Sequence, residues 1–129
     1  MVEESRSAAA LRAGPDAHRS VRTVDITTIG ARSGQPHRIE IWVQQVDGRW
    51  FLSGSPGRRA WVANLRANPV LTVHLKHGAM ADLPATARPI DDDARRREIL
   101  AAIIKLWGQN PSELPAWLAG SPLFELDFD

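Results

Sequence analysis

The chain has 129 residues, of which 43% are hydrophobic, and this is the size of one compact domain with a buried core. Its 16 basic and 15 acidic residues leave a net charge of +1, so no chain-wide positive field points to a nucleic acid as partner. The lack of cysteine excludes disulfides, thiolate chemistry and cysteine-based zinc sites. No apolar segment has the length of an integral membrane span or a signal peptide, so the simplest interpretation is a cytoplasmic protein.

Residues 1–20 are interpreted as a flexible N-terminal tail, and residues 21–129 as the single folded domain. The tail combines charged residues, an alanine-rich patch and a Gly-Pro-Asp sequence, so at most one short helix fits in it. An isolated helix of that length is marginal in water. We therefore expect disorder, although a small apolar stripe of Ala8 and Leu11 could dock on the domain.

Two runs at 21–29 and 38–46 have the composition and alternation of strands, and they enclose a basic turn with a glycine on either side. Glycine reaches positive φ at little cost, which favours a tight loop. Arg32, His37 and Arg38 are close enough in sequence to converge on one phosphate or carboxylate. The alternative is an ordinary solvated hairpin turn, because short basic turns are common.

A second basic loop follows the third strand, which an Asp-Gly hairpin predicts at 50–52. The small-residue loop 53–59 leads into a short helix at 60–67. Free backbone N–H groups and the helix dipole favour an anion at such a helix start, and Arg58 and Arg59 add positive charge. The alternative is a plain strand-to-helix connection with solvated arginines.

The second half of the chain predicts two strands, two helices and a final strand. In order, these are a strand at 70–75, a weaker strand at 79–90, a long helix ending near Gly108, a short helix around 112–118 and a strand at 123–128. Prolines in the weaker strand predict an edge position or a bulge. We interpret the Asp91–Asp93 triplet as a helix cap, and the three arginines at 95–97 as a solvated face. Mostly antiparallel strands with late helices predict an α+β domain around a small barrel.

Strand alternation also orients three side chains. Trp42 is out of phase with the apolar residues of its strand, so it either lines a cavity or covers the sheet. His74 and His77 would point to opposite faces of a strand, so no metal site is predicted from them.

Three motifs, in order, resemble the deazaflavin-dependent nitroreductase family, the F420H2-dependent quinone and nitro reductases. They are Thr27–Gly30 with Arg32–Pro36, then Ser55–Gly57, then Ala60-Trp61 with Asn64-Leu65 and Ala67–Pro69. The similarity covers about residues 22–77. The family has the split β-barrel fold of FMN-binding-like proteins, so the resemblance implies an α+β split barrel of mostly antiparallel strands.

The resemblance implies an oxidoreductase that holds coenzyme F420 and reduces a small-molecule acceptor such as a quinone, an enone or a nitro compound. It assigns anionic parts of the cofactor to Arg32, Ser33 and Arg38. The further cofactor-binding residues that it implies are Ser55, Pro56, Gly57, Arg58, Arg59, Trp61 and Asn64. Ser55, His37 and His74 are the candidates for assisting proton transfer.

The chain has no tyrosine, whereas nitro-reducing members of the family tend to place tyrosines around the substrate. Trp42 and Trp117 are therefore the candidates for an aromatic wall. Two other interpretations stay open: a split-barrel protein that uses FMN or haem, and a non-catalytic carrier of F420 or a small hydrophobic ligand. A split barrel is also compatible with a homodimer.

Overall fold

The computed structural model describes residues 6–13, 19–78 and 80–129. In this part of the chain six antiparallel strands close a barrel in the order β1-β2-β3-β6-β5-β4. The strands are β1 (Val21–Ile29), β2 (Pro36–Val46), β3 (Arg49–Ser53), β4 (Val70–Leu75), β5 (Ala81–Pro89) and β6 (Leu123–Phe128). The helices are α1 (Arg6–Leu11), α2 (Ala60–Ala67), α3 (Asp93–Leu106) and α4 (Leu114–Gly120), with a 3₁₀ turn at Pro111–Glu113. The α+β barrel expected from the sequence is confirmed.

The barrel is split beside the first half of β2. This strand pairs with β1 from Pro36 to Gln44, but it pairs with β3 only from Val43 to Val46. Residues 36–42 therefore lack a β3 neighbour, and the start of α2 and the end of α3 lie beside them. This gap in the barrel wall positions the groove described below.

The barrel interior follows from strand alternation. Every second residue of β1 is buried, with Val24 and Ile26 almost fully excluded from solvent. Trp61 and Leu65, one helical turn apart on α2, belong to the same buried cluster. The helix that the sequence predicted at 60–67 is thus tied into the core by its apolar face.

A second apolar cluster lies between the barrel and the two C-terminal helices. It consists of Phe51, Ile99, Leu100, Ile103, Ile104, Trp117 and Leu123. The carboxylate of Asp92 caps α3 by accepting from the Arg95 N–H at 2.8 Å, so the capping interpretation is confirmed. Arg96 is not solvated as expected, because it donates to the carbonyls of Ile90, Leu118 and Ser121 and ties α3 to the α4 region.

The N-terminal segment differs from the expected disorder over its described residues. Ser7 and Leu11 of α1 are buried, the Ser7 hydroxyl donates to the Asp129 carbonyl at 3.2 Å, and Arg22 donates to the Leu11 carbonyl at 2.8 Å. These tertiary contacts supply the stability that a short helix lacks in isolation. Residues 1–5 and 14–18 of the expected tail lie outside the described residues.

The edge position or bulge expected for β5 is wrong, because β5 pairs in regular register with β4 and also with β6. Pro84 is tolerated there for a local reason. The Pro84 carbonyl accepts from the Asp129 N–H and therefore points toward the end of β6. Because the N–H and the carbonyl of one residue point to the same side of an antiparallel strand, the N–H that proline lacks would not have bonded to β4.

Among the described helices, none is long and apolar enough to cross a membrane.

Candidate functional site

Three adjoining cavities form one groove along the split in the barrel. The turn end, of about 540 Å³, lies against the β1–β2 turn; the middle cavity has about 320 Å³; and the tryptophan end, of about 530 Å³, lies against three indoles. Ile39 and Trp61 line both the turn end and the middle cavity. Trp42, Ser55 and Trp107 line both the middle cavity and the tryptophan end. The shared residues place the three cavities side by side along the split.

The β1–β2 turn is closed by its own backbone. Gly30 donates to the Gln35 carbonyl at 2.8 Å, and Gly34, at φ +68°, donates back to the Gly30 carbonyl at 3.0 Å. A Cβ on Gly30 would lie 2.3 Å from the Ser33 hydroxyl oxygen and 2.8 Å from His37 Nε2. Glycine at this position therefore lets the two polar side chains pack over the backbone at the turn end.

Asn64 fastens helix α2 to this turn. Its Oδ1 accepts from the Ala31 N–H at 2.9 Å, and its Nδ2 donates to the Thr28 hydroxyl at 3.1 Å. The side chain is buried, so its loss would leave two polar partners without this amide. Both bonds reach from α2 across to β1 and its turn.

Two guanidinium groups line the half of the groove beside α2. Arg32 lines the turn end and has no ion-pair partner in the described part of the chain. Arg59 lines the middle cavity and donates to the Gly57 carbonyl at 3.2 Å and to the Ser55 hydroxyl at 3.3 Å. A Cβ on Gly54 would lie 2.8 Å from Arg59 Cζ, so glycine lets the guanidinium lie on the loop backbone.

Helix α2 adds a third source of positive potential. Arg59 is its N-cap residue, and no side chain caps its first turn. The exposed N–H groups of a helix start and the helix dipole both favour an anion. The turn end and the middle cavity together therefore suit an anionic ligand.

The opposite half of the groove is aromatic. The Trp42 and Trp107 ring centroids lie 5.2 Å apart at an interplanar angle of 89°, and those of Trp107 and Trp117 lie 5.4 Å apart at 75°. Edge-to-face packing of this kind stabilises aromatic clusters beyond the buried area alone. Trp42 is 47% exposed, so it lines a cavity rather than only covering the sheet. Gln109 and Glu113 complete this end.

The groove unites most of the residues that the sequence indicated. The turn end holds Arg32, Ser33, His37, Trp61 and Asn64; the middle cavity holds Ser55, Arg59 and Trp61; the tryptophan end holds Ser55 and Pro56. Residues as far apart as Arg32 and Pro56 thus share one surface.

Arg38 lies apart from the groove, on the outer face of the barrel. Its Nε donates to Asp25 at 2.9 Å, and Lys76 donates to the other Asp25 oxygen at 2.7 Å and to Glu40. The hydrogen bonds from Lys76 and then Arg38 lower the pKa of Asp25, and the bonds to Asp25 and then Glu40 raise the pKa of Lys76. Alternation along β2 explains this placement, because neighbours on a strand point to opposite faces.

His74 also lies on the outer face. Its Nδ1 lies 2.6 Å from the Asp82 carboxylate, and its Nε2 lies 2.7 Å from the Thr27 hydroxyl. These partners hold the imidazole away from the groove. Gly57 and Arg58 line a fourth cavity, of about 600 Å³, which shares Arg59 with the middle cavity and Ala63 with the turn end.

Sequence reasoning missed Thr28, Ile39, Trp107 and Glu113 as groove residues. The sequence predicts only a core position for Trp107, because this residue continues the apolar spacing of α3. Its indole Nε1 is nevertheless buried with no hydrogen-bond partner among the described residues. Glu113 precedes α4 and resembles any first-turn acid, so no pattern along the chain marks it as a cavity residue.

Comparisons with known proteins show the family and the fold of the chain. The family model described as F420H(2)-dependent quinone reductase matches residues 6–110. A solved F420-H2 dependent reductase, FDR-A, superposes with a TM-score of 0.60 at 23% identity, over 84% of this chain and 95% of that one. No curated protein matches the sequence significantly.

Two further solved structures share the fold. The heme storage protein HutZ from Vibrio cholerae has a TM-score of 0.61 at 18% identity, over 88% of this chain and 84% of its own. A protein described as a domain-swapped dimer has a TM-score of 0.57 at 20% identity, over 84% and 81%. At such identities the likeness shows the fold alone.

Proposed function

The chain belongs to the F420H(2)-dependent quinone reductase family, so it is an oxidoreductase with coenzyme F420 as its cofactor, and we propose that its groove holds both cofactor and acceptor. The acceptor in this proposal is a small, planar, electron-poor molecule of the quinone, enone or nitro type. One observation supports the proposal most: a single groove joins a cationic turn end to a tryptophan end.

The donor set of the turn end fits the anionic part of the cofactor. Arg32 has a guanidinium with no partner in the described part of the chain, and Ser33 and the first turn of α2 add hydrogen-bonding groups. Arginine forms charge-assisted bonds to phosphate and carboxylate oxygens. We assign the phosphate of F420 to this end. Asn64 acts indirectly, because it holds the turn against α2.

The middle cavity fits a flat ring. Trp61 is 6% exposed and lies at the back of this cavity, and Ile39 and Trp42 of β2 line it from the side. Ser55, Pro56 and Arg59 supply polar and backbone contacts at the rim. Arg38 is not part of this assignment, because it is bonded to Asp25 on the outer face. Gly57 and Arg58 are not part of it either, because they line the neighbouring cavity and not the middle one.

When bound, reduced F420 supplies a hydride and a proton for reduction of the acceptor. The residues of the chain bind both molecules, orient them and exclude water from the gap between them. Trp42 and Trp107 offer the acceptor an indole wall. Ser55 lies where the middle cavity meets the tryptophan end, so we assign its hydroxyl to positioning an acceptor oxygen.

Two alternatives give different outcomes in the same assay. A protein that uses FMN or haem would share the fold, as the haem storage neighbour does, but family membership favours F420. A non-catalytic carrier would bind F420 without turnover. The homodimer is supported only by a structural neighbour described as a domain-swapped dimer, and it stays a prediction together with the cytoplasmic location.

The test is a titration of purified protein with F420 and, in parallel, with FMN, followed by quenching of the five tryptophans. Oxidation of F420H2 is then measured with quinones, enones and nitroaromatics. We expect saturable binding of F420 and turnover with at least one acceptor. A preference for FMN would contradict the cofactor assignment, and tight F420 binding with no turnover would select the carrier.

A further inference from the structure

The tryptophan end combines three indoles with one carboxylate. The Trp107 ring stands nearly perpendicular to both of the others, at 89° to Trp42 and at 75° to Trp117. Glu113 is the one acidic or basic side chain among the described residues that line this cavity. It is exposed and forms no ion pair with another residue of the described part. The carboxylate is therefore available to a ligand.

This combination suits a cation. The face of an indole attracts an ammonium or pyridinium ion through the ring quadrupole, and tryptophan is the strongest of the aromatic side chains in this respect. A free carboxylate beside the rings adds a Coulomb attraction. A neutral ligand of the same shape buries the same area against the rings but gains neither the cation–π attraction nor the Coulomb attraction.

Charge is also divided along the groove. Arg32 and Arg59 line the turn end and the middle cavity, whereas no guanidinium or ammonium group lies among the described residues of the tryptophan end. The Glu40 carboxylate at the middle cavity is already bound by Lys76. Glu113 is thus the acidic group that can discriminate between charged and neutral acceptors.

We propose that the tryptophan end takes acceptors with a positive charge, namely iminium and N-alkylpyridinium ions, a class beyond quinones, enones and nitro compounds. This inference rests on the proposed function for its chemistry. The cation preference of the cavity itself does not require turnover, and it can be measured without the cofactor.

Such an acceptor takes the same two electrons as a quinone but needs no proton. The iminium carbon gains a hydride, and the π electrons of its C=N bond become the lone pair of a neutral amine. F420H2 is oxidised to F420 in the exchange and releases one proton to solvent. No proton has to reach the product, which suits an end of the groove where Glu113 is the one titratable side chain among the described residues. A neutral quinone, in contrast, needs a proton on oxygen.

The first test measures binding to the cofactor-free protein. Choline and its neutral isostere 3,3-dimethylbutanol are titrated while tryptophan fluorescence is followed. We expect choline to bind about tenfold more tightly. Glu113→Gln should weaken choline binding about fivefold and leave the neutral probe unchanged. Trp42→Leu should weaken the binding of both probes, and that of choline by the larger factor, because choline also loses the attraction to the indole face. Both residues are exposed, so neither variant should unfold the protein.

The matched control is Glu98→Gln, which removes an exposed glutamate of α3 that pairs with Arg95 outside the groove. It should leave both titrations unchanged. Equal binding of the two probes, or a Glu113→Gln protein that still prefers choline, would overturn the inference.

The second test compares acceptors with F420H2 as reductant. For an N-methyl-dihydroisoquinolinium ion, Glu113→Gln should lower kcat/KM about fivefold, and for menadione it should change kcat/KM less than twofold. Turnover of menadione with no effect of Glu113→Gln on the iminium would refute the inference and leave the proposed function standing. Choline binding that depends on Glu113, with no oxidation of F420H2 by any acceptor, would refute the proposed function and leave the cation site standing.

Discussion

The two ends of the groove are built in different ways. Directed hydrogen bonds hold the turn end, with Asn64 bonded to Ala31 and Thr28. Residues of the β1–β2 turn, of the adjoining strands and of α2 line it. Ring packing between β2, α3 and α4 holds the tryptophan end. An anion needs donors at fixed positions, whereas a flat organic molecule needs a shaped apolar wall. We therefore expect sharp losses from changes at the turn end and graded losses from changes at the tryptophan end.

The largest effect should follow from Asn64→Ala. The variant leaves the Ala31 N–H and the Thr28 hydroxyl without their buried partner, which costs about 2–3 kcal/mol of unfolding free energy. F420 affinity should fall about tenfold, because the turn is no longer fixed to α2. Urea denaturation and an F420 titration measure the two effects.

Asn68→Ala is the matched control at the other end of α2, where the amide accepts only from the exposed Val70 N–H at 3.2 Å. It should cost about 1 kcal/mol or less and leave F420 affinity unchanged. Equal losses in the two variants would show that Asn64 has no special role at the turn.

A smaller effect is expected from Trp42→Ala. Removal of this half-exposed indole should raise the KM for the acceptor about tenfold, equivalent to about 1.4 kcal/mol. The Kd for F420 should rise by a smaller factor, about threefold, because Trp42 lines the middle cavity only from the side. Steady-state kinetics with menadione and an F420 titration separate the two constants. Unchanged kinetics for both molecules would remove Trp42 from the acceptor wall. Val70→Ala, at an exposed apolar residue of β4 away from the groove, is the control.

Gly54→Ala should weaken F420 binding about threefold while the unfolding free energy changes by less than about 1 kcal/mol. The new Cβ would displace the Arg59 guanidinium, which is the flexible end of a long side chain and can move at little cost to the fold. Thermal unfolding and an F420 titration check both halves of this prediction. A large loss of stability with unchanged affinity would contradict the assigned role of Arg59.

The smallest effect should come from the outer face, which belongs to neither end of the groove. Hydrogen bonds from Lys76 and Arg38 lower the pKa of Asp25 from its usual 3.8, so ionised Asp25 stabilises the fold above that pH. This contribution is lost as the pH falls through the lowered pKa of the folded state. Asp25→Asn should thus cost more stability at about pH 7 than at about pH 3, with unchanged F420 affinity. Urea denaturation of both proteins at the two pH values tests whether the stability lost in Asp25→Asn is larger at the higher pH.

Local patterns were sufficient to predict most of the elements. The alternation of β1, the spacing of Trp61 and Leu65 on α2, and the glycines around the first turn all act over a few residues. The turn end could be anticipated for the same reason, since its charges and its hinge lie in one short stretch. Arg38 shows the limit of that reasoning, because its position beside His37 on a strand puts it on the other face.

The tryptophan end could not be predicted as a unit. Trp42, Trp107 and Trp117 lie on three separate elements, and only the packing of α3 and α4 on the barrel brings their rings together. Docking of α1 likewise depends on contacts with the distant C-terminus, which no local propensity reports. Contacts between residues far apart in sequence are therefore what the structure adds to the functional account.

The central claim is that the turn end, and not the outer face of the barrel, holds the anionic part of F420. The most direct measurement is an F420 titration of the wild-type protein, Arg32→Ala and Arg38→Ala, because these two arginines lie in the same stretch and on opposite sides of the barrel wall. Arg32→Ala should weaken binding about tenfold or more and reduce its dependence on salt, while Arg38→Ala should stay within about twofold of wild type. A greater loss with Arg38→Ala, or none with Arg32→Ala, would contradict the account.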